Sequence, residues 1–387
     1  MVDDTGIGAR LQAARRALGL TQTEAGRRMG MVTSTVSAIE SGKRSVTGLE
    51  LYRFAEIYKR PLAFFFGESS RPGSVGFQYL FRQADERVLD RGSIVELEQL
   101  AADYRLLEEL VEATPLPLPP DYSAFGFRTG DDAETLAEME RSRLGLGDAP
   151  IKDLTDLLDE HAGVRTFALP VANQSWSGLV VKDGDGRPCI AVNSKEEPYR
   201  RNYDLAHEYG HVLVHFGRTD QPQARVDVSL EPGRRSSPEE RFVDLFAASF
   251  LMPRRGVLEQ LDRTMRASHG RFTDHDLVHL ATHFGVSGQA MSRRLVVLRK
   301  MPRTTHEKLW VERESSFKAM AERLGYEFEE PPEIWNRPGL PKRFRYLAWK
   351  AYELEIISVS KLAELLREDM FELRARLELS EDQAALA

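Results

Sequence analysis

Apolar residues in the first sixty-odd positions recur with helical spacing, in short runs broken by turn residues. Ile7–Leu18 places Leu11, Ala14 and Leu18 on one face and stops at Gly19. Thr21 predicts the next helix start, with Glu24 completing a capping box, and Gly30 predicts its end. A third helix is expected from near Val32 to Glu40, with Val36 and Ile39 facing inward and Ser41-Gly42 closing it. "LELYRFAEIYK" and "PLAFFF" finish this helical module, and "GESSRPGSVG" reads as a linker. Residues 79–112 predict a long amphipathic helix or helix pair, ended by "PLPLPPDY", because proline neither donates nor continues a helix. Residues 132–161 predict helix again. From Gly163 the period changes to two. "VRTFAL", "SGLVVK" and "PCIAVN" are strand candidates, the last two joined by the hairpin turn "DGDGR". Helical patterns resume at Tyr199. Strands confined to one block between helices imply a mainly α chain with one α+β domain.

Composition narrows the class without choosing a function. At 387 residues, 42% hydrophobic and 29% charged, the chain suits two or three globular domains. One cysteine, Cys189, excludes a disulfide framework and suits a reducing compartment. The amino terminus lacks a signal-peptide pattern, and no uncharged apolar run reaches the length of a membrane span. A cytoplasmic location without membrane contact is therefore expected. The net charge of −7 is uneven: residues 1–66 carry ten Lys/Arg against six Asp/Glu, a surplus of four that leaves −11 for the rest. A basic module on an acidic body points to a polyanion partner for the amino-terminal part alone.

That module contains two short helices around a tight glycine turn, "TQTEAGRRMGMVTSTVSAIESGKR". Such a pair can place its second helix in a DNA major groove while helix starts hold phosphates. Gln22 starts the first helix of the pair. Thr33, Ser34 and Ser37 occupy the expected outer face of the second, and Lys43 and Arg44 follow as phosphate candidates. Residues Arg10 to Phe66 resemble the lambda-repressor-like, Xre-type helix-turn-helix family. The matching residues are Thr21-Gln22, Gly30, Ser34-Thr35-Val36-Ser37, Ile39-Glu40 and Gly42-Lys43. Val32 departs from a usual capping Ser/Thr and Ala38 from a longer polar residue, which leaves the bases read undetermined. The resemblance implies double-stranded operator DNA as a partner, and a homodimer is compatible with it.

The run "LAHEYGHVLVH" sets His207 and His211 four residues apart, on one helix face, so both imidazoles can reach one Zn²⁺. Glu208 lies between them, placed to work on water at the metal. A second helix, "EERFVDLFAASFLMP", carries Glu240 and Asp244 at the same spacing. Thermolysin-like enzymes place a third carboxylate ligand on such a helix, in an E-x-x-x-D pattern. The region from Val164 to Pro253 resembles the ImmA/IrrE family of metallopeptidases, through "SGLVV", "IAVN", "LAHEYGHVLVH" and "FAASFLMP" in that order. The resemblance implies His207, His211 and Glu240 as zinc ligands, Glu208 as general base and Asp244 orienting a ligating histidine. It also implies a gluzincin-like α+β fold with a small sheet. Phe242-Val243-Asp244 departs from the usual family residues and leaves Glu239 as a competing ligand. His215 lies one turn further along the helix, too far to be aimed at the same ion. Tyr199 and Tyr203 are candidates for an oxyanion donor.

"LATHFGVSGQAMSRRL" and "ISVSKLAELLREDMFEL" each look like a further helix-turn-helix pair and are expected to be packing modules. His269, His275, His279 and His283 are read as surface or core histidines. The expected organisation is a helix-turn-helix domain over 1–70 and a helical linker region over 71–150. A metallopeptidase domain follows over 151–300, then a helical region over 301–387. The expected function is transcription regulation with zinc-dependent cleavage of a repressor or antitoxin-like partner protein, the partner being a repressor or toxin-antitoxin-like protein. The alternative is a regulator or antitoxin whose zinc domain senses a ligand or stabilises the fold.

Overall fold

The computed structural model describes residues 4–60, 62–67, 91–123, 130–170, 176–183, 185–215, 224–227, 237–267, 271–312, 314–325 and 339–385. Most of the expected linker, the start of the expected 79–112 helix and His269 lie outside them. The fold is mostly helical, with a small mixed sheet in the middle.

The amino-terminal module consists of α1 (Asp4–Ala17), α2 (Gln22–Met29), α3 (Thr33–Glu40), α4 (Gly48–Tyr58) and α5 (Leu62–Phe66). Thr21 caps α2 in a capping box with Glu24, and Thr47 caps α4 in another with Glu50. Gly30 ends α2 at φ 69°, a left-handed conformation that glycine adopts without a Cβ clash. This sharp turn lets α3 cross α2, so that Val36 and Ile39 join Leu11, Ala25, Phe54 and Tyr58 in one core. Beneath α3, Arg15 grips Glu40 through two hydrogen bonds of 2.6 and 2.9 Å. Burial alone would raise the Glu40 carboxyl, but the bonds from Arg15 and Gln22 hold it below the usual carboxylate range.

The body begins with α6 (Arg91–Leu110), α7 (Gly130–Arg143) and α8 (Leu154–Glu160). The single helical stretch expected over 132–161 is thus two helices, because Gly145 and Gly147 take φ of 68° and 54° between them. Three strands lie where the alternation placed them: β1 (Arg165–Leu169), β2 (Gly178–Lys182) and β3 (Pro188–Asn193). A fourth, β4 (Ala224–Asp227), was not foreseen, being too short to show a period. The sheet order is β1-β3-β2-β4, with β1 parallel to β3 and the other pairs antiparallel. Helices α9 (Pro198–His215) and α10 (Pro238–Leu251) follow, then α11 (Arg254–Ala267), α12 (Asp274–His283) and α13 (Gly288–Val297). The chain continues through α14 (Arg303–Glu312), α15 (Glu314–Arg323), α16 (Lys342–Glu353), α17 (Val359–Leu366) and α18 (Met370–Ala385).

Both sheet faces are covered, so β3 is buried at every residue. One face presents Val180, Ile190 and Val192 to the core that contains Ala206, Tyr209 and Phe246 of α9 and α10. The other presents Phe167, Leu179, Val181, Cys189 and Ala191 to Leu100 and Tyr104 of α6 and Phe344 and Leu347 of α16. An ionic cluster closes this second layer. Arg165, 2% exposed, pairs with Asp183, Glu108 and Asp185, each at 2.7 Å. The amino-terminal module touches α6 through Arg60–Glu98 at 2.9 Å, an ion pair whose side chains are both largely buried.

Candidate metal centre and nucleic-acid interface

Helix α9 lies across the sheet, and its stripe at four-residue spacing, Tyr203, His207, His211 and His215, faces α10. Ser237 caps α10 by accepting the Glu240 amide at 3.1 Å, with Pro238 at the first helical position. The cap sets the first turn of α10 against the histidines. Its acids Glu239 and Glu240 stand where the helix dipole favours negative charge.

The distances in this corner are short enough for the three side chains to share one ion. His207 Nε2 and His211 Nε2 are 3.1 Å apart, and Glu240 Oε2 lies 3.3 Å from the first and 3.5 Å from the second. Ligands on a tetrahedral Zn²⁺, with bonds of about 2.0–2.1 Å, stand about 3.3 Å from one another. Two imidazoles and a carboxylate are also the donor set a catalytic zinc takes, leaving one position open. Among the described residues, His207, His211 and Glu240 are the one group of three side chains grouped closely enough to hold an ion. His207 and His211 are buried, at 8% and 0% exposure.

Behind them, Asp244 Oδ1 meets His207 Nδ1 at 2.9 Å and so aims Nε2 toward His211 and Glu240. Glu239 has its side chain 64% exposed against 20% for Glu240, and it faces His215 rather than the triangle. His215 itself sits behind His211, with its Nδ1 3.2 Å from the Nδ1 of that residue.

Glu208 is 1% exposed and packs under the start of β2. A Cβ added to Gly178 would lie 2.0 Å from Glu208 Oε1, so a glycine is required there for the carboxylate to keep its place. Sequence reasoning assigned no role to Gly178, although it had marked "SGLVV" as part of the family pattern. Tyr203 donates its hydroxyl to the Asp244 carbonyl at 3.0 Å, which commits it to supporting α10. Tyr199 lines a cleft of about 520 Å³ beside the site, together with Tyr203, Asp204, Ala248, Gln289 and Arg293. The start of α13 therefore faces α9. His275, His279 and His283 are exposed along α12, and His279 meets Gln260 at 3.4 Å.

In the amino-terminal module, Thr33 and Ser34 are exposed at the start of α3, and Ser37 is half-buried one turn on. Val32 caps α3 without a side-chain bond and is 67% exposed. Lys43 and Arg44 are exposed after α3, with Arg44 paired to Glu50 at 2.8 Å. Gln22 donates to Glu40 Oε2 at 2.9 Å, so its amide is half-buried against the Arg15–Glu40 pair.

Comparison with known proteins gives two family matches. Residues 11–65 match the helix-turn-helix family model, and residues 159–296 match the IrrE N-terminal-like domain of peptidase family M78. No curated protein matches. Among solved structures, Bacillus thuringiensis PlcR, crystallised with the peptide PapR7 and DNA, matches at 11% identity over 99% of both chains, with a TM-score of 0.16. A superposition that poor supports no conclusion about this chain.

Proposed function

For a chain that joins an amino-terminal helix-turn-helix domain to an IrrE N-terminal-like domain, we propose a DNA-binding regulator that is also a zinc-dependent endopeptidase acting on a partner protein. The observation that carries this reading is the triangle of His207, His211 and Glu240, with Glu208 buried beside it. Zinc, when bound, supplies a Lewis acid that polarises a carbonyl and brings the pKa of water in the open position to about 7. His207 and His211 present Nε2, and Asp244 keeps His207 in the tautomer that leaves that nitrogen unprotonated. Glu208, as general base, takes the proton of the attacking water and returns it to the leaving amine. Gly178 holds open the space in which the Glu208 carboxylate makes both transfers.

On the amino-terminal module, Thr33, Ser34 and Ser37 would face base edges and Lys43 and Arg44 the phosphates, with Gln22 at the start of α2 adding to the DNA-binding face. The surplus of positive charge in this segment supports that role. The partner protein we infer is a repressor-like, toxin or antitoxin protein encoded beside this one.

The purified protein should hold about one zinc per chain, lost in His207→Ala and His211→Ala, reduced in Glu240→Ala and kept in Glu239→Ala. Glu208→Gln separates enzyme from sensor. It should keep zinc and DNA binding while cleavage of the co-expressed partner falls by at least about 10²-fold, since general acid–base catalysis is worth about 10²–10⁴-fold. Equal survival of every partner with wild type and Glu208→Gln, together with equal transcriptional control, would replace the peptidase by a sensor.

A further inference from the structure

Three histidines in nine residues exceed what a two-histidine metal site needs, and the third is not placed as a ligand. His215 continues the stripe of His207 and His211, with ring centroids of His211 and His215 5.2 Å apart. Its near contact is with His211 Nδ1, at 3.2 Å. That is the ring nitrogen opposite Nε2, which faces His207 and Glu240. His215 thus stands on the far side of the His211 ring from the metal corner. On its own far side, His215 Nε2 lies 3.9 Å from Glu239 Oε2.

We infer that His215 is a positioning residue for His211, doing for the second zinc histidine what Asp244 does for the first. The inference rests on the zinc reading above. A metal-ligating histidine nearly always donates its remaining N–H to a fixed acceptor, which sets both ring angle and tautomer. With Nε2 directed at the metal corner, the proton of His211 sits on Nδ1 and is donated to His215 Nδ1. His215 then carries its own proton on Nε2, toward the Glu239 carboxylate. Two parallel arrangements result, Asp244–His207 and Glu239–His215–His211, converging on one corner. The consecutive acids at the start of α10 divide the work, with Glu240 facing the metal and the more exposed Glu239 facing His215.

The test is zinc affinity of the full-length chain, measured by competition with a chromophoric chelator. Loss of such an outer partner typically weakens metal binding about 10–100-fold. His215→Ala should fall in that range while its apo form keeps the wild-type circular dichroism. His215→Gln, which restores an acceptor oxygen, should recover most of the affinity, and it also serves if the alanine variant fails to fold. X-ray absorption should count the same number of histidine ligands in zinc-loaded wild type and His215→Gln. Wild-type affinity in His215→Ala overturns the inference and leaves the zinc reading intact. Loss of one histidine from the coordination shell in His215→Gln also overturns it, because His215 would then be a ligand. A wild-type chain that takes up no zinc sinks both.

Discussion

Gly178 shows how much a single residue can decide in this site. Its missing side chain is the room that Glu208 occupies, so Gly178→Ala forces the carboxylate aside without touching His207, His211 or Glu240. The variant should bind zinc as wild type does, yet cleave its partner at least about 100-fold more slowly, because misplacing a catalytic group by an ångström can cost about that much. Elemental analysis paired with the cleavage gel checks both halves. Cleavage at the wild-type rate would place the proton transfer elsewhere. The cluster of His207, His211 and Glu240 was legible as a candidate, since two histidines one helical turn apart and two acids at the same spacing state their geometry through the 3.6-residue period. The room beneath β2 was not, because a glycine in a strand carries no sign of which neighbour needs its space. The role inferred for His215 was equally hidden: spacing set it one turn beyond His211, but only the side-chain placement put it behind that ring.

Elements that state their own boundaries could be read directly. The capping box at Thr21 and the glycine at position 30 marked α2 in advance, and the alternating residues marked β1 to β3. What covers each element was not readable, because an amphipathic stripe announces only that something covers it. The start of α13 is the clearest case, since it lines the cleft against α9 rather than standing clear as α3 does. For α3, the support is the Arg15–Glu40 pair, both residues 7% exposed. Glu40→Ala would leave a buried guanidinium unpaired, a loss of about 3–5 kcal/mol. Hydrogen exchange at α3 amides should accelerate by more than about 100-fold, while β3 amides keep their rate. Double replacement of Lys43 and Arg44 by alanine should act differently: the module stays folded, and DNA affinity falls for all sequences, with a shallower dependence on salt. A mobility-shift series across salt concentrations reads that slope.

At the scale of the whole molecule, α6 and α16 come from opposite sides of the strand block yet meet on one face of the sheet. Asp159 lies at their junction, where Tyr104 and Arg343 approach it. Burial pushes its carboxyl up to about 7, against the hydrogen bond from Tyr104. An acid whose folded pKa is raised binds its proton more tightly in the native state. Between about pH 4 and 7 the native chain is therefore protonated there while the unfolded chain is not, and stability declines as pH rises through that window. Asp159→Asn, which still accepts from Tyr104, should remove that decline and stabilise the chain above pH 7 by on the order of 4 kcal/mol. Denaturant unfolding at pH 5 and pH 8 tests it, and an unchanged difference between the two would clear Asp159 of the effect. The same layer encloses Cys189, the only cysteine in the sequence, fully buried in β3 with its thiol pushed up by that burial. A thiol reagent can reach it only when α6 or α16 lifts from the sheet. The rate at which the native protein is labelled is therefore a clock for that opening, one that needs no introduced residue.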